Sequence, residues 1–357
     1  MTGIKEKSKP KVLFFLNRLV IGGSVIDIIS MAGLLLNDFE ILIAYGEKED
    51  HEIEAQYLLN QYPGLKLIKI KYLKRTPNPF YDVIAFYTVL KLILNFKPQI
   101  VHTHGAKSGL IGRLAAFICR IPVIVHTYHG HVFHSYYSSI KSKGIVLIER
   151  LLARISTNII CLSEYQKLEL IDTYKITNGT KLSVIPLGIN QEYFLKDADK
   201  KRGQFRERYS LKETDFAIGI VGRIVPIKNH VMFLEAAIEL INNGNSNLYF
   251  FIVGDGNHTL IIQKVLRKNK ITFSTPEIVD TTARIIFTSW LTDISMVHHG
   301  LDIVTLTSNN EGTPLSLIEA QFCGKPVVSI NVCGVKDIVI DGETGYLVEA
   351  NETKKFI

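Results

Sequence analysis

Lys11-Val-Leu-Phe-Phe-Leu16, then Gly22-Gly23, then residues 24–36 and Glu40-Ile-Leu-Ile-Ala44 form the stretch that decides the fold. Two short β-rich runs flank a segment whose apolar residues recur at helical spacing, and a glycine pair separates the first run from the helix. Strands that are apolar throughout are buried on both faces, which predicts a parallel sheet wrapped by helices. The pattern continues with strands expected at 65–70, 100–103, 123–127 and 158–162, and helices at 81–96 and 109–119. It starts again later, with strands at 217–221, 248–253, 285–287, 303–306 and 327–329 and a helix at 230–242. Val184-Ile-Pro-Leu-Gly-Ile-Asn190 joins the halves, so domains are expected at 1–190 and 191–357. The expected fold class is α/β, two doubly wound domains facing across a cleft.

The 357 residues suit two domains. Hydrophobic residues make up 47% and charged residues 21%, which excludes a disordered chain. Four cysteines, none in a Cys-x-x-Cys pair, exclude a disulfide scaffold and structural-zinc spacing, and point to a reducing compartment. No uninterrupted apolar run reaches the length of a membrane span, and the basic N-terminus does not read as a secretory signal, so a cytoplasmic protein is expected. The charge is lopsided: residues 1–190 carry 23 Lys+Arg against 14 Asp+Glu, and residues 191–357 carry 18 against 20. A basic first half predicts an anionic partner on one side only. No aromatic-interleaved basic ribbon supports nucleic acid. In residues 138–155, Lys141, Lys143, Arg150 and Arg154 accompany an apolar stripe, a pattern that suits peripheral attachment to an anionic membrane surface or a helix packed with its basic side outward.

Glu311-Gly-Thr-Pro-Leu-Ser-Leu-Ile-Glu319 follows an apolar strand. Thr313 is the expected N-cap and Pro314 the first helical residue, so the helix start would offer free amides to a phosphate. Glu311 and Glu319 would then reach a sugar and a ribose. In Gly222-Arg-Ile-Val-Pro-Ile-Lys-Asn-His230 a strand runs into a glycine, and Arg223 and Lys228 follow as two fixed cations suited to a leaving diphosphate. Gly22-Gly23 allows close backbone approach to a ligand but forms neither a dinucleotide fingerprint nor a P-loop. His126-Thr-Tyr-His129-Gly-His131-Val-Phe-His134, with His102 and His104, raises a metal site as an alternative. Strand alternation sends His126 and His129 apart and no acidic or cysteine ligand is adjacent, so no metal ligand is assigned.

In this order the segments resemble the retaining family 4 glycosyltransferases of the GT-B fold, bacterial polysaccharide and glycolipid type. His102-Thr-His-Gly-Ala-Lys107 to Arg113, Val253-Gly-Asp-Gly256 and Asp341-Gly-Glu-Thr-Gly-Tyr-Leu-Val348 complete the set, which spans roughly residues 11–348. The resemblance implies two Rossmann-like domains, acceptor on the first and nucleotide sugar, expected to be a UDP-sugar, on the second. It implies donor contacts from Gly22, Gly23, Arg223, Lys228, Ser289, Glu311, Gly312, Thr313, Pro314, Leu315 and Glu319. His129, Glu311, Arg223 and Lys228 would act in catalysis, and His131 and Lys107 would lie on the acceptor side. Transfer would retain anomeric configuration and need no cofactor or metal, and the acceptor would be a glycan or lipid-linked saccharide. Family members usually continue past the Tyr-Leu-Val with a closing helical region, whereas this sequence ends nine residues after Val348. The alternatives are a catalytically silent nucleotide-sugar-binding partner, a GT-B-type nucleotide-sugar epimerase or hydrolase, and, more distantly, a metal-dependent hydrolase built on the histidines.

Overall fold

The computed structural model describes residues 9–50, 52–130, 139–350 and 352–356. The chain folds into two compact units, the first ending at Pro186 and the second beginning at Leu187.

The first unit holds β1 (Lys11–Leu16), α1 (Gly23–Leu34), β2 (Glu40–Tyr45), α2 (Gln56–Leu59), β3 (Lys66–Lys69), α3 (Pro79–Phe96) and β4 (Ile100–His104). It continues with α4 (Ala106–Ile118), β5 (Val123–Tyr128), α5 (Ser139–Ile155), β6 (Asn158–Cys161), α6 (Glu164–Leu168) and β7 (Leu182–Val184). The strands form one parallel sheet in the order β3-β2-β1-β4-β5-β6-β7. Both faces of β1 are buried, as its unbroken apolar run demands. Val12, Phe14 and Leu16 pack toward α1 and α2, while Leu13 and Phe15 pack toward α3 and α4. The order reverses between β1 and β4, so the loops after those strands diverge and leave a crevice at the sheet's carboxyl edge.

α3, α4 and α5 lie side by side over one face of this sheet. Their outer surfaces are apolar: Tyr87 and Leu94 on α3, Leu114 and Phe117 on α4, and Leu147 and Leu151 on α5 are all exposed. α3 is long and apolar enough to cross a membrane by length and composition, yet it lies on the sheet with 17% of that span buried. The sequence expectation concerned uninterrupted apolar runs, and Asp82 and Lys91 interrupt this one without removing its hydropathy. α5 carries Lys141, Lys143 and Arg154 outward together with its leucines. Arg150 departs from that stripe and turns inward, donating to the Tyr174 carbonyl from Nε at 3.0 Å and Nη2 at 2.8 Å.

Under this layer sits a buried ion pair. Arg113 of α4 donates from Nη2 to both carboxylate oxygens of Glu149 on α5, at 2.9 and 2.7 Å, and the Tyr128 hydroxyl donates to the same carboxylate at 2.6 Å. Burial and the neighbouring carboxylate push the Tyr128 hydroxyl well above the usual phenol range. The pair locks α5 to α4 and to the end of β5.

The second unit holds α7 (Gln191–Leu195), α8 (Ala198–Arg208), β8 (Phe216–Val221), α9 (His230–Asn242), β9 (Leu248–Val253), α10 (Thr259–Lys268), β10 (Phe273–Ser274) and β11 (Ile285–Ser289). α11 (Ile294–Gly300), β12 (Ile303–Leu306), α12 (Leu315–Phe322), β13 (Val327–Ile330) and β14 (Gly345–Val348) complete it. Its sheet is parallel too, in the order β10-β11-β9-β8-β12-β13-β14. The order again reverses beside the unit's first strand, between β8 and β12. Each unit is thus the doubly wound sheet that the sequence pattern predicts, with a crevice at its own switch point.

Candidate functional site

In the second unit the loops after β8 and β12 bring the predicted donor residues together. β8 is followed by Gly222, whose φ of 148° few other residues adopt. Its amide donates to the Val253 carbonyl at 2.9 Å. A side chain at Gly254 would put Cβ 2.1 Å from the Gly222 carbonyl oxygen, so only glycine lets the two turns touch. Ser289 ends β11 beside them, its carbonyl accepting from the Gly254 amide at 3.0 Å. Thr307, after β12, donates its hydroxyl to the carbonyls of Lys228 and Asn229, each at 3.0 Å. The Asn309 amide donates to the Ile227 carbonyl at 2.9 Å. This stitching sets Lys228 against Glu311, 83 residues away, with Nζ 2.5 Å from Oε1. Arg223 lies half-buried on the same turn.

The helix start departs from the expected cap. Pro314, not Thr313, stands at the N-cap with an extended ψ of 104°, and α12 begins at Leu315. A residue preceding proline is pushed out of helical conformation, and the proline itself keeps an extended ψ here, so the first turn starts one residue late. Thr313 therefore makes no capping bond, and its buried Oγ1 has no partner among the described residues. Ser308 Oγ and Asn310 Nδ2 on the same loop are likewise buried and unmatched. The Leu317 and Ile318 amides bond the Pro314 carbonyl, while those of Leu315 and Ser316 have no backbone partner among the described residues. A loop with so many unsatisfied donors is suited to an anion or a sugar.

Glu319 sits inside α12, buried, with Oε2 3.1 Å from His298 Nε2 on α11. His298 is fully buried and fixes the carboxylate; sequence reading gave it no role, since a His-His pair in an apolar helix carries no motif.

In the first unit the predicted residues flank the other switch point. Gly22 is the N-cap of α1 with extended backbone, and Gly23 opens the helix; the Gly23 and Ser24 amides have no backbone partner among the described residues. His129 follows β5, and its Nε2 is 2.9 Å from His104 Nδ1 at the end of β4. His104 stacks on Phe14, with ring centroids 5.8 Å apart and an 11° tilt. Burial holds His129 at about 4 and His102 at about 3, and His104 well below its ordinary range, so all three are neutral near pH 7. His126 points to the opposite face, 2.8 Å from Thr103 Oγ1. No three described His, Cys, Asp or Glu side chains converge to hold a metal. Lys107 opens α4 but is turned to Asp82, at 2.5 Å, and to the carbonyls of Lys74 and Thr76. His131 and His134 lie outside the described residues.

The structure adds a residue that the sequence does not flag. Asp27 on α1 places Oδ2 3.8 Å from His129 Nδ1, and burial lifts its carboxyl to about 6.

Comparison with known proteins identifies the family. Residues 22–193 match the family described as Glycosyltransferase Family 4, and residues 201–357 match Glycosyl transferases group 1. The chain is 33% identical over 282 residues to UDP-Gal:alpha-D-GlcNAc-diphosphoundecaprenol alpha-1,3-galactosyltransferase of Escherichia coli, covering 77% of this chain and 69% of that protein. This chain is a family 4 glycosyltransferase. The capsular polysaccharide biosynthesis glycosyltransferase CapM of Staphylococcus aureus is 28% identical to it, covering 83% of this enzyme and 75% of CapM. Among solved structures, Anabaena Alr3699/HepE in complex with UDP and glucose superposes with a TM-score of 0.79 at 18% identity, covering 97% of this chain and 87% of that one. At that identity the likeness shows the shared two-domain glycosyltransferase fold.

Proposed function

We propose that this glycosyltransferase moves a hexose from a nucleotide sugar, a UDP-sugar first, to a lipid-linked saccharide in surface polysaccharide synthesis. The observation that carries the reading is the Lys228–Glu311 pair at the β8/β12 switch point, beside a loop of buried polar atoms without partners among the described residues. The names of similar proteins support it: the Escherichia coli relative uses UDP-Gal and a diphosphoundecaprenol-linked acceptor, and HepE was solved with UDP-glucose.

In this reading Arg223, Lys228 and the amides of Gly312, Thr313 and Leu315 take the diphosphate, with Pro314 setting the turn. Glu319, held by His298, takes the ribose; Ser289 lies toward the base; Glu311 takes donor-sugar hydroxyls. On the first unit Gly22, Gly23, His129 and His131 keep the roles that the family resemblance gives them, while Lys107 is held by Asp82. The bond from the anomeric carbon to the β-phosphate oxygen breaks, the acceptor oxygen bonds that carbon, and the hydroxyl proton passes to the leaving phosphate. Configuration is retained. Charge building on the leaving diphosphate is met by two cations and a helix start, so no metal is called on.

The outer surface of α3, α4 and α5 supports peripheral attachment to the cytoplasmic face of the membrane, where a lipid-linked acceptor lies. It combines the exposed leucines and aromatics with Lys91, Lys141, Lys143 and Arg154, none of which pairs with a carboxylate among the described residues. Apolar side chains beside lone cations suit an anionic bilayer.

The test is calorimetric titration of UDP, GDP and ADP into the wild-type protein, Lys228→Ala and Glu319→Ala, followed by product analysis with and without acceptor. The expected result is binding of UDP, weakened about tenfold or more (about 1.4 kcal/mol) by each substitution, with transfer only when acceptor is present. Folded protein that binds no nucleotide, or that converts UDP-sugar equally without acceptor, would overturn the reading.

A further inference from the structure

Asp27 has no packing partner that explains it. α1 turns Val25, Ile28, Ile29 and Ala32 into the core. Asp27 stands between them with its side chain 19% exposed and no hydrogen bond or cation among the described residues. A carboxylate held that way costs stability, because burial removes water and nothing replaces it. It faces His129 Nδ1 at 3.8 Å, a distance too long for a hydrogen bond. The other nitrogen of His129 is already engaged with His104. The carboxylate favours the His129 tautomer with its proton on Nδ1, so His104 donates to Nε2 and Nδ1–H is left aimed at the gap. One oxygen placed about 2.8 Å from both atoms would fill that gap, with the two bonds meeting at roughly a right angle.

The chemistry of the gap selects the ligand. A carboxylate accepts from a hydroxyl and repels a phosphate. Among the described residues the cations that follow β1 and β4 are bound to carboxylates of their own unit: Arg18 to Glu52 and Lys107 to Asp82. An uncharged, hydroxyl-bearing group therefore belongs here, with the anionic linker of the acceptor directed elsewhere.

We propose that Asp27 is an acceptor-binding residue that, together with His129, takes one hydroxyl of the acceptor's terminal sugar. The inference rests on the transferase reading, which puts the acceptor in the first unit.

Steady-state kinetics with varied acceptor at saturating donor test it on Asp27→Asn and Asp27→Glu, with circular dichroism and melting to confirm folding. Acceptor kcat/KM falls about tenfold or more in Asp27→Asn, as befits loss of a charge-assisted bond, and Asp27→Glu recovers part of it. In the wild type acceptor kcat/KM also declines as pH drops through about 6, where Asp27 takes up a proton; Asp27→Asn lacks that limb. The groups facing Asp27 do not supply it. His129 from β5, with His104 and His102 behind it on β4, titrates well below that pH, and α1 carries no other charged residue. A folded Asp27→Asn enzyme with unchanged acceptor kcat/KM and the same limb would overturn the inference while leaving the transferase reading intact. Wild-type protein that binds UDP yet transfers to no saccharide would instead remove the reading, and the inference with it.

Discussion

Replacing Glu311 by Gln should tighten the binding of free UDP while slowing transfer from the UDP-sugar. Without ligand, Lys228 Nζ lies 2.5 Å from Glu311 Oε1, with the two side chains 21% and 11% exposed. A diphosphate that approaches Lys228 must compete with that carboxylate. Ion pairs at the surface are worth about 0.2–1 kcal/mol; this one is mostly covered, so the upper end applies. Freeing Lys228 is then worth about 1 kcal/mol, roughly a fivefold gain in UDP affinity. The sugar-bearing donor loses more than it gains. A charge-assisted bond from a sugar hydroxyl to Glu311 is worth about 1.5–3 kcal/mol, which against the gain of about 1 kcal/mol leaves a net loss of about 0.5–2 kcal/mol, so kcat/KM for the UDP-sugar should fall about two- to thirtyfold. Lys228→Ala, by contrast, weakens both ligands. Isothermal calorimetry with UDP at low and high salt reads the first effect, which should shrink with salt as the pair is screened. If Glu311→Gln weakens UDP as much as Lys228→Ala does, the carboxylate is not a competitor and the reasoning fails.

Two further outcomes follow from the first unit. Glu149→Ala leaves the Arg113 guanidinium, which is fully buried, without its carboxylate, and should cost about 3–5 kcal/mol; calorimetry should show one unfolding transition lowered by roughly 10 °C, and an unchanged thermogram would show that the pair carries no stability. Leu147→Asp with Leu151→Asp, both exposed on α5, should cut flotation with phosphatidylglycerol vesicles about tenfold or more; wild-type protein that floats equally with neutral vesicles, or not at all, would remove the membrane role from this surface.

The two sheets were legible because burying a strand on both faces leaves a mark in composition, and Lys11–Leu16 or Leu248–Val253 carry it without ambiguity. Loops at the switch points were legible because glycine and proline are there for backbone reasons that a sequence displays, as at Gly222 and Gly254. The error at Thr313 has a local cause: Ser or Thr before Pro reads as a cap, yet proline's hold on the preceding residue and its own extended ψ delay the helix. Asp27 and His298 stayed hidden for a different reason. Each sits in an apolar helix where a polar residue has no periodic meaning, and its partner lies far off in the chain, His129 for one and Glu319 for the other. Pairing across that separation is decided by strand order, which the sequence does not state.

The charge asymmetry likewise acquires its meaning only from placement. The first unit holds all of the excess positive charge of the chain, and a direct reading would put an anionic ligand in its crevice. The crevice instead offers neutral histidines and a carboxylate, and the cations that follow β1 and β4 are already matched, Arg18 by Glu52 and Lys107 by Asp82. Lys91, Lys141, Lys143 and Arg154, which pair with no carboxylate among the described residues, are on the outer helices, where apolar side chains are also exposed. The second unit is close to neutral, yet it sets Lys228 against Glu311 beside a loop whose buried Thr313, Ser308 and Asn310 donors have no partner among the described residues. Net charge thus reports on the surface a unit shows to its surroundings. In the proposed reading the charge that a substrate meets is set by a few groups at the sheet's edge, and the two run in opposite directions.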